Sequence, residues 1–385
     1  MTQKLYETDA YCRHFEATVL SCEPQGDAFA VVLDQTAFFP EGGGQAPDGG
    51  TLGGATVTDV QPDGDTVVHT VSSPLEAGTT VCGEIDWPLR FSRMQSHAGE
   101  HIVSGVIHAM FGYDNVGFHM SETTMTVDVN GPLTAEDIDR IERAANEAVW
   151  QNVTITVSFP TAEELQTIPY RSKLDFTDGV RLITIDGVDC CACCAPHPAR
   201  TGEIGAIKLL DFFPNKGGTR IEMTAGVHAL ADYAALHKAN KTLMGMLSAK
   251  RDGVADAVQR QLDTAGQLRA ENAKLSRELA VCKLTPTAVA GGVFAVAEGL
   301  SYDDMRFVAN DMVAAHAKCV LLSRAAGDDY LYVVSSAEAP IADLVKALNA
   351  AFSGKGGGRP TYAQGKITAP SKEDLIAKVT ELLNG

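Results

Sequence analysis

Gln95-Ser96-His97-Ala98-Gly99-Glu100-His101 sits where the chain changes character, and the sequence on either side of it decides the fold. Before it, residues 1 to about 85 alternate short β-type runs at 29–33, 66–70 and 79–85 with turn clusters such as Asp63-Gly64-Asp65. That spacing predicts a small all-β barrel or sandwich. Around it, from 90 to 110, the apolar positions recur at helical intervals. After it come a strand pattern at 123–129, a helix at 135–150 behind the capping residue Thr134, and β-rich sequence from 153 to 223. This second stretch reads as an α+β domain. Because the heptapeptide is helical, His97 and His101 stand four apart on one face with their rings about 6 Å from each other.

Working outward, charge divides the remainder. The 385 residues carry 31 Lys plus Arg against 49 Asp plus Glu, a net charge of −18. Such a balance excludes a generally basic protein that coats nucleic acid. The deficit is uneven: residues 1–233 sum to −20, 234–284 to +4 and 285–385 to −2. In the middle segment Met244, Leu247, Arg251, Val254, Val258, Gln261, Ala265, Leu268, Asn272, Leu275, Leu279 and Cys282 step by three and four, an apolar seam interrupted by three polar residues. The seam suits a connecting helix, a helical hairpin or an intermolecular coiled coil, with Gly245, Gly253 and Gly266 weakening a continuous helix. The last hundred residues alternate β runs (293–297, 319–323, 331–335) with helical ones (301–317, 341–352, 372–383), an α/β arrangement with a glycine-rich loop before the final strand and helix. The expected parts are 1–88, 89–233, 234–284 and 285–385. The start shows no charged region followed by an apolar one, and the longest apolar stretch, near 287–297, falls short of the 18 or so residues of a membrane span. A soluble, cytoplasmic protein is expected.

Nine cysteines are present, four of them (Cys190, Cys191, Cys193, Cys194) within five positions. That crowding is too tight for a disulfide framework and reads as reduced thiols near a metal or active site. Cys193 and His197 form a C-x-x-x-H pair beside Pro196 and Pro198, where a loop can turn back toward His97 and His101. Three imidazoles and a thiolate suit tetrahedral Zn2+ and disfavour magnesium or calcium. Spacing alone does not choose Cys193 over Cys190, Cys191 or Cys194. His97-x-x-Glu100-His101 also matches the H-x-x-E-H pattern of zinc peptidases, in which the Glu is the general base, although thiolate ligation is unusual there. The third constellation is Thr36-Ala37-Phe38-Phe39-Pro40-Glu41-Gly42-Gly43-Gly44-Gln45, whose glycines permit a turn with free N–H groups while Gln45 offers a donor and an acceptor.

Taken together, the Thr36 to Gln45 loop, the His97/His101 helix, Cys193-x-x-x-His197 followed by Thr201-Gly202-Glu203-Ile204-Gly205, and Arg220-Ile221-Glu222 resemble the editing domain of alanyl-tRNA synthetase and its free-standing AlaX relatives. Gly354-Lys355-Gly356-Gly357-Gly358-Arg359-Pro360-Thr361-Tyr362-Ala363-Gln364-Gly365 is similar to the glycine-rich signature of the synthetase's C-terminal domain, shared with DHH-type phosphoesterases. The resemblance covers nearly the whole chain and suits the long AlaX form. It implies an α+β multidomain protein: an N-terminal β-barrel, a two-layer α+β editing core, a long helical connector and a C-terminal α/β domain. It implies hydrolysis of the ester that joins a wrong amino acid, serine above all and glycine as a further candidate, to tRNA(Ala). The editing signature begins within 40 residues of the start, so the chain is expected to correct rather than to charge.

Carried over by residue, the resemblance makes His97, His101, Cys193 and His197 the zinc ligands. Gln45 with the Gly43-Gly44 backbone would line the pocket, and the Thr36 hydroxyl would sense a seryl side chain. The water could be positioned by Gln45, by Glu100 or by the substrate's own ribose hydroxyl. The family more often shows C-G-G-T-H where this chain has Cys193-Cys194-Ala195-Pro196-His197. Lys355 and Arg359 are the expected phosphate contacts and Tyr362 a stacking platform. A homodimer through the connector or the C-terminal domain is a further expectation. The alternatives are the zinc peptidase and a non-catalytic zinc-containing tRNA-binding protein.

Overall fold

A computed structural model describes residues 1–172 and 179–385, without the side chains of 280, 281 and 283. Residues 173–178 of the β-rich stretch expected at 153–223 lie outside the described residues. The described residues form two compact units, Met1–Thr242 and Leu243–Gly385. The charge boundary at 234 thus falls inside helix Gly226–Leu247.

In the first unit, strands β1 (His14–Gln25), β2 (Ala28–Leu33), β3 (Gly50–Leu52), β4 (Ala55–Asp63), β5 (Thr66–Val71) and β6 (Thr80–Ile85) close into a barrel in the order β1-β2-β5-β4-β3-β6. Alternation drives closure: Phe15, Ala17, Val19, Val31, Leu33, Val57, Val60, Val67 and Val71 all point inward and are buried. Helix α1 (Trp87–Phe111) follows at once, started by Asp86, whose carboxylate accepts the Leu89 N–H, and stopped at Gly112 with φ 70°. Every residue from Met94 to Ile107 is buried, so this helix is enclosed on all sides rather than on one stripe.

What encloses it is an antiparallel sheet in the order β12-β13-β8-β7, where β7 is Asn115–Met120, β8 Met125–Val129, β12 Ile207–Asn215 and β13 Gly218–Ala225. Helix α2 (Ala135–Trp150) packs beside α1 over the same core, which gathers Ile102, Ile107, Val127, Ile141, Ile221 and Met223. A capping box between Thr134 and Asp137 starts α2, a device that stabilises a helix by about 1 kcal/mol. Gly99 lets α1 come close to the sheet, since a Cβ there would stand 2.9 Å from the Ala225 Cβ. A separate three-stranded sheet, β9 (Ile155–Ser158), β10 (Leu182–Ile185) and β11 (Asp189–Ala192), delivers the cysteine cluster.

The connector is two helices, α3 (Gly226–Leu247) and α4 (Val254–Lys283), not one. The break comes at Ser248, whose φ is 49°, and at the short turn Arg251–Gly253. Gly245 and Gly266 stay helical. In the second unit a six-stranded sheet runs β14-β15-β16-β17-β19-β18, from β14 (Thr287–Val289), β15 (Gly292–Glu298), β16 (Lys318–Arg324), β17 (Asp329–Ser336), β18 (Lys355–Arg359) and β19 (Tyr362–Thr368). Only β15 and β16 are parallel. Both faces are covered: Val293, Ala295, Cys319 and Leu321 pack with helix α5 (Tyr302–Ala315). Phe294, Val320 and Leu322 face helices α6 (Ala342–Ala351) and α7 (Lys372–Asn384). That explains the unbroken apolar runs. The glycine-rich segment expected to be a loop is the edge strand β18, paired only with β19, and the turn of this hairpin is at Pro360-Thr361. Among the described residues no helix is long and apolar enough to cross a membrane.

Candidate metal centre

Helix α1 sets the first two groups. The rings of His97 and His101 lie 5.4 Å apart, and the ring of His197 comes within 5.2 Å of the first and 4.8 Å of the second. The Cys193 Sγ is 3.5 Å from His97 Nε2 and 3.4 Å from His197 Nε2. One ligand atom from each of the four residues lies within 4.8 Å of all the others. All three histidines are buried. Of the four clustered cysteines, Cys193 is the one whose sulfur joins the three imidazoles. Cys190 contacts the Thr184 hydroxyl at 3.4 Å, and Cys194 packs against Gly42 and Gly43. Cys191 stands beside His101 and Asp189.

Buried charges that the sequence does not advertise hold these groups. Arg181 reaches across the Cys193 loop, donating from Nη1 to the carbonyls of Cys193 (2.9 Å) and Ala195 (2.8 Å). Its Nε donates to the Glu7 carbonyl. The glycine loop is fastened to α1 by Arg90, fully buried, whose Nε bonds both Asp48 oxygens (2.9 and 2.8 Å) and whose Nη2 donates to the Ala37 carbonyl. Asp48 in turn accepts the Phe39 N–H at 2.6 Å. So both ends of the loop from Ala37 to Asp48 are tied to the helix that carries the histidines. Nothing marks Arg90 and Asp48 as partners in the sequence, because 42 residues separate them.

Between those ties the chain turns tightly, Gly42 and Gln45 exchanging both backbone hydrogen bonds while Gly43 and Gly44 take φ of 59° and 81°. A Cβ on Gly44 would meet the Phe118 ring at 2.8 Å. The turn aims Gln45 inward: its Oε1 lies 2.9 Å from His97 Nδ1. An amide oxygen can only accept, so His97 carries its proton on Nδ1 and presents Nε2 to the sulfur. Gln45 Nε2 and His197 Nδ1 are buried without a partner. His101 Nδ1 meets Asp189 Oδ2 at 3.1 Å.

Electrostatics favours ligation. Burial resists a charge on Cys193, but the adjoining imidazoles of His97 and His197 outweigh it and hold the thiol well below its ordinary range. Burial pushes the His197 ring down to about 3. A thiolate beside a neutral imidazole is the protonation state that metal binding requires. Burial of His101 is outweighed by its bonds to Asp189 and Cys193, which push that ring well above its ordinary range, so a proton leaves it when an ion binds. Three nitrogens and one sulfur converging on a small buried volume, two of the rings already braced through Nδ1, fit a zinc-type ion.

The other expected site residues have different surroundings. Glu100 is buried and its Oε1 accepts from Ser104 (2.5 Å) and Asn115 (2.6 Å), so it is neither a solvated helix carboxylate nor an idle one. Thr36 is fully buried in the barrel. Its hydroxyl stands 2.8 Å from His69 Nε2 and accepts the Phe38 N–H, and His69 Nδ1 meets the Val31 carbonyl. The carbonyl fixes the proton on Nδ1, so Thr36 must donate to Nε2 and its donor is used. In the second unit Lys355, Arg359 and Tyr362 lie on the β18–β19 hairpin. Arg359 lines a groove of about 660 Å³ with Gly356, Gly357, Gly358 and Lys346, while Tyr362 donates its hydroxyl to Gln364 and carries the Arg306 guanidinium 5.7 Å from its ring.

Three family models match the chain: tRNA synthetases class II (A) over residues 12–89, the threonyl and alanyl tRNA synthetase second additional domain over 180–225, and the DHHA1 domain over 289–385. The alanyl-tRNA editing protein Aarsd1 of Mus musculus is 29% identical across 96% of this chain and 95% of its own. Aarsd1-B of Xenopus laevis is 30% identical over 71% of each chain. AlaX-L of Pyrococcus horikoshii, also an alanyl-tRNA editing protein, is 28% identical over 97% of this chain and 96% of its own.

Proposed function

The chain belongs to the family of alanyl-tRNA editing proteins, and from that premise we propose that it hydrolyses the ester of mischarged tRNA(Ala), seryl above all and glycyl as a second substrate, at the His97–His101–Cys193–His197 centre. The observation that carries the reading is Gln45. Its oxygen braces a candidate ligand while its amide N–H groups, buried and unpaired, stand beside the cluster. A buried donor without a partner costs about 1–3 kcal/mol, a cost that a bound carbonyl or hydroxyl removes.

His97, His101 and His197 through Nε2, with the Cys193 sulfur, would hold Zn2+, which supplies Lewis-acid polarisation or a bound water of lowered pKa when a position is open to it. The remaining chemistry falls to the chain's own groups. Gln45 Nε2 donates to the ester carbonyl oxygen and stabilises the charge that develops there, a contribution worth about 10²–10³ in rate at comparable sites. Glu100 Oε1 is already shared by Ser104 and Asn115, which leaves Oε2 alone to take a proton. We assign Glu100 to bracing Asn115 and Ser104, and the attacking water to the substrate's vicinal ribose hydroxyl, which accepts a proton from the water as it passes its own to the departing ester oxygen. A thiolate among the candidate ligands counts against the H-x-x-E-H peptidase.

Serine is separated from alanine when the site has buried polar groups that only the hydroxyl satisfies. Gln45 Nε2 and His197 Nδ1 are such groups. Thr36, the sensing candidate, would have to give up His69 to reach a seryl side chain. Lys355 and Arg359 supply phosphate contacts, and Tyr362 a stacking face, on an otherwise acidic protein.

The test is release of labelled serine from Ser-tRNA(Ala), with Ala-tRNA(Ala) as control. The wild type releases serine selectively, Gln45→Ala retains zinc and fold but loses at least tenfold in rate, and Cys193→Ala loses zinc and activity together. Tight tRNA binding with no turnover by a zinc-loaded wild type would sink the enzyme and leave a binding protein.

A further inference from the structure

The three imidazoles of the centre are braced unequally. His97 leans on a neutral amide that the proposed reaction also uses, and His197 Nδ1 has no partner. His101 alone faces a carboxylate, and the whole approach is built. Asp189 Oδ2 lies 3.1 Å from His101 Nδ1, and the same carboxylate is gripped by Arg171, Nε to Oδ1 at 2.7 Å and Nη2 to Oδ2 at 2.8 Å. Asp189 and His101 are shut from solvent. Arg171 is itself fixed to the strand that carries Asp189: its N–H donates to the Cys190 carbonyl (2.7 Å) and its carbonyl accepts the Ala192 N–H (3.0 Å). On the helix side, one turn beyond His101, stands Gly105. A Cβ there would fall 2.6 Å from the Val188 carbonyl oxygen and 2.9 Å from the Asp189 Cβ, so any side chain at 105 would drive Asp189 away.

We propose that Asp189, clamped by Arg171 and admitted by Gly105, is a positioning residue that holds His101 with its proton on Nδ1 and its Nε2 aimed at the ligand cluster, which makes His101 the anchoring ligand of the centre. The inference rests on the metal reading above. A carboxylate behind a metal-bound imidazole fixes the ring and raises its basicity, and losing such a partner weakens metal binding 10–100-fold.

Two measurements on the full chain test this. Zinc affinity by competition with a chromophoric chelator falls about tenfold in Asp189→Asn, which keeps an acceptor without the charge. It falls toward 100-fold in Asp189→Ala/Arg171→Ala, which removes both charges and leaves neither stranded. In nitrogen-15 histidine-labelled protein, one ring proton, identified by its absence in His101→Gln, is shifted downfield and protected from exchange in the wild type and lost in the double variant. Unchanged affinity in the folded double variant, or a protected proton that survives it, overturns the proposal. If the wild type holds no zinc, the metal reading fails, and the ring proton still decides: present and Asp189-dependent, it upholds the positioning; absent, it ends it.

Discussion

His69 touches none of the candidate ligands, yet it sets the pH response of the barrel. Burial pushes its pKa down to about 4, against an ordinary value of 6.5. Below pH 6.5 the unfolded chain therefore takes up a proton that the folded one refuses. Stability contributed by the neutral ring is complete above pH 6.5 and drains away as pH falls toward 4, in all by roughly 3 kcal/mol. Thermal unfolding between pH 7 and 4 should show this as a falling Tm, and His69→Asn should flatten that part of the profile. Thr36→Val breaks the same pair and strands His69 Nε2, a loss of about 1–3 kcal/mol. It should lower Tm while serine selectivity survives. Selectivity abolished at unchanged Tm would restore Thr36 as the sensor. The four candidate ligands drew notice in the sequence because an i, i+4 histidine pair and a C-x-x-x-H are local patterns, though spacing left Cys193 undistinguished from its neighbours, and the structure brings these four together. Asp189, Arg171, Arg181, Arg90 and Asp48 drew no notice, because a charged residue that will be buried looks the same in sequence as one that will be solvated.

Among the elements, the glycine loop is the most demanding. Gly44 needs left-handed backbone and no side chain, so Gly44→Ala loses about 1–2 kcal/mol for the backbone alone and collides with Phe118 besides. A shift of about 1 Å in Gln45 costs about 10²-fold in rate. Serine release by Gly44→Ala should therefore collapse even where its far-ultraviolet circular dichroism matches the wild type. The long elements α1 and α2 could be read ahead of the structure, α1 from its helical intervals and α2 from its pattern behind the Thr134 cap. Two elements could not. The helical-hairpin alternative and Gly253 allowed for a split connector, but its site, a serine in a left-handed conformation at 248, carries no Gly or Pro to signal it. The run Lys355–Arg359 looks like a loop because glycine is scarce in strands, but its neighbour β19 supplies all the pairing that it needs.

At the scale of the molecule, an acidic chain has to hold a polyanion, and the salt response is the quantity that reports how. If Lys355 and Arg359 each neutralise a phosphate, the double substitution to alanine weakens tRNA binding and reduces the slope of log affinity against log salt by roughly 1.4–1.8. A slope that does not move would place the contacts elsewhere. Pattern separates all-β, α+β and α/β stretches, but the charge boundary at 234 falls inside a helix and the compact units divide at Thr242 and Leu243. The Arg90 ties between the glycine loop and α1 leave no mark in composition. The same ties have a consequence for synthesis. The ligands arrive in two instalments, His97 and His101 first and the sulfur of Cys193 with His197 about a hundred residues later. At about 5–20 residues per second the ribosome needs roughly 5–20 s to deliver the second pair. Throughout that interval the nascent chain holds His97 and His101 but neither Cys193 nor His197, and its earlier thiols, Cys12, Cys22 and Cys82, belong to the barrel and the segment leading into it. The candidate centre is thus completed late, after the barrel and its helix have emerged, and a truncated product ending before residue 193 lacks two of its four members.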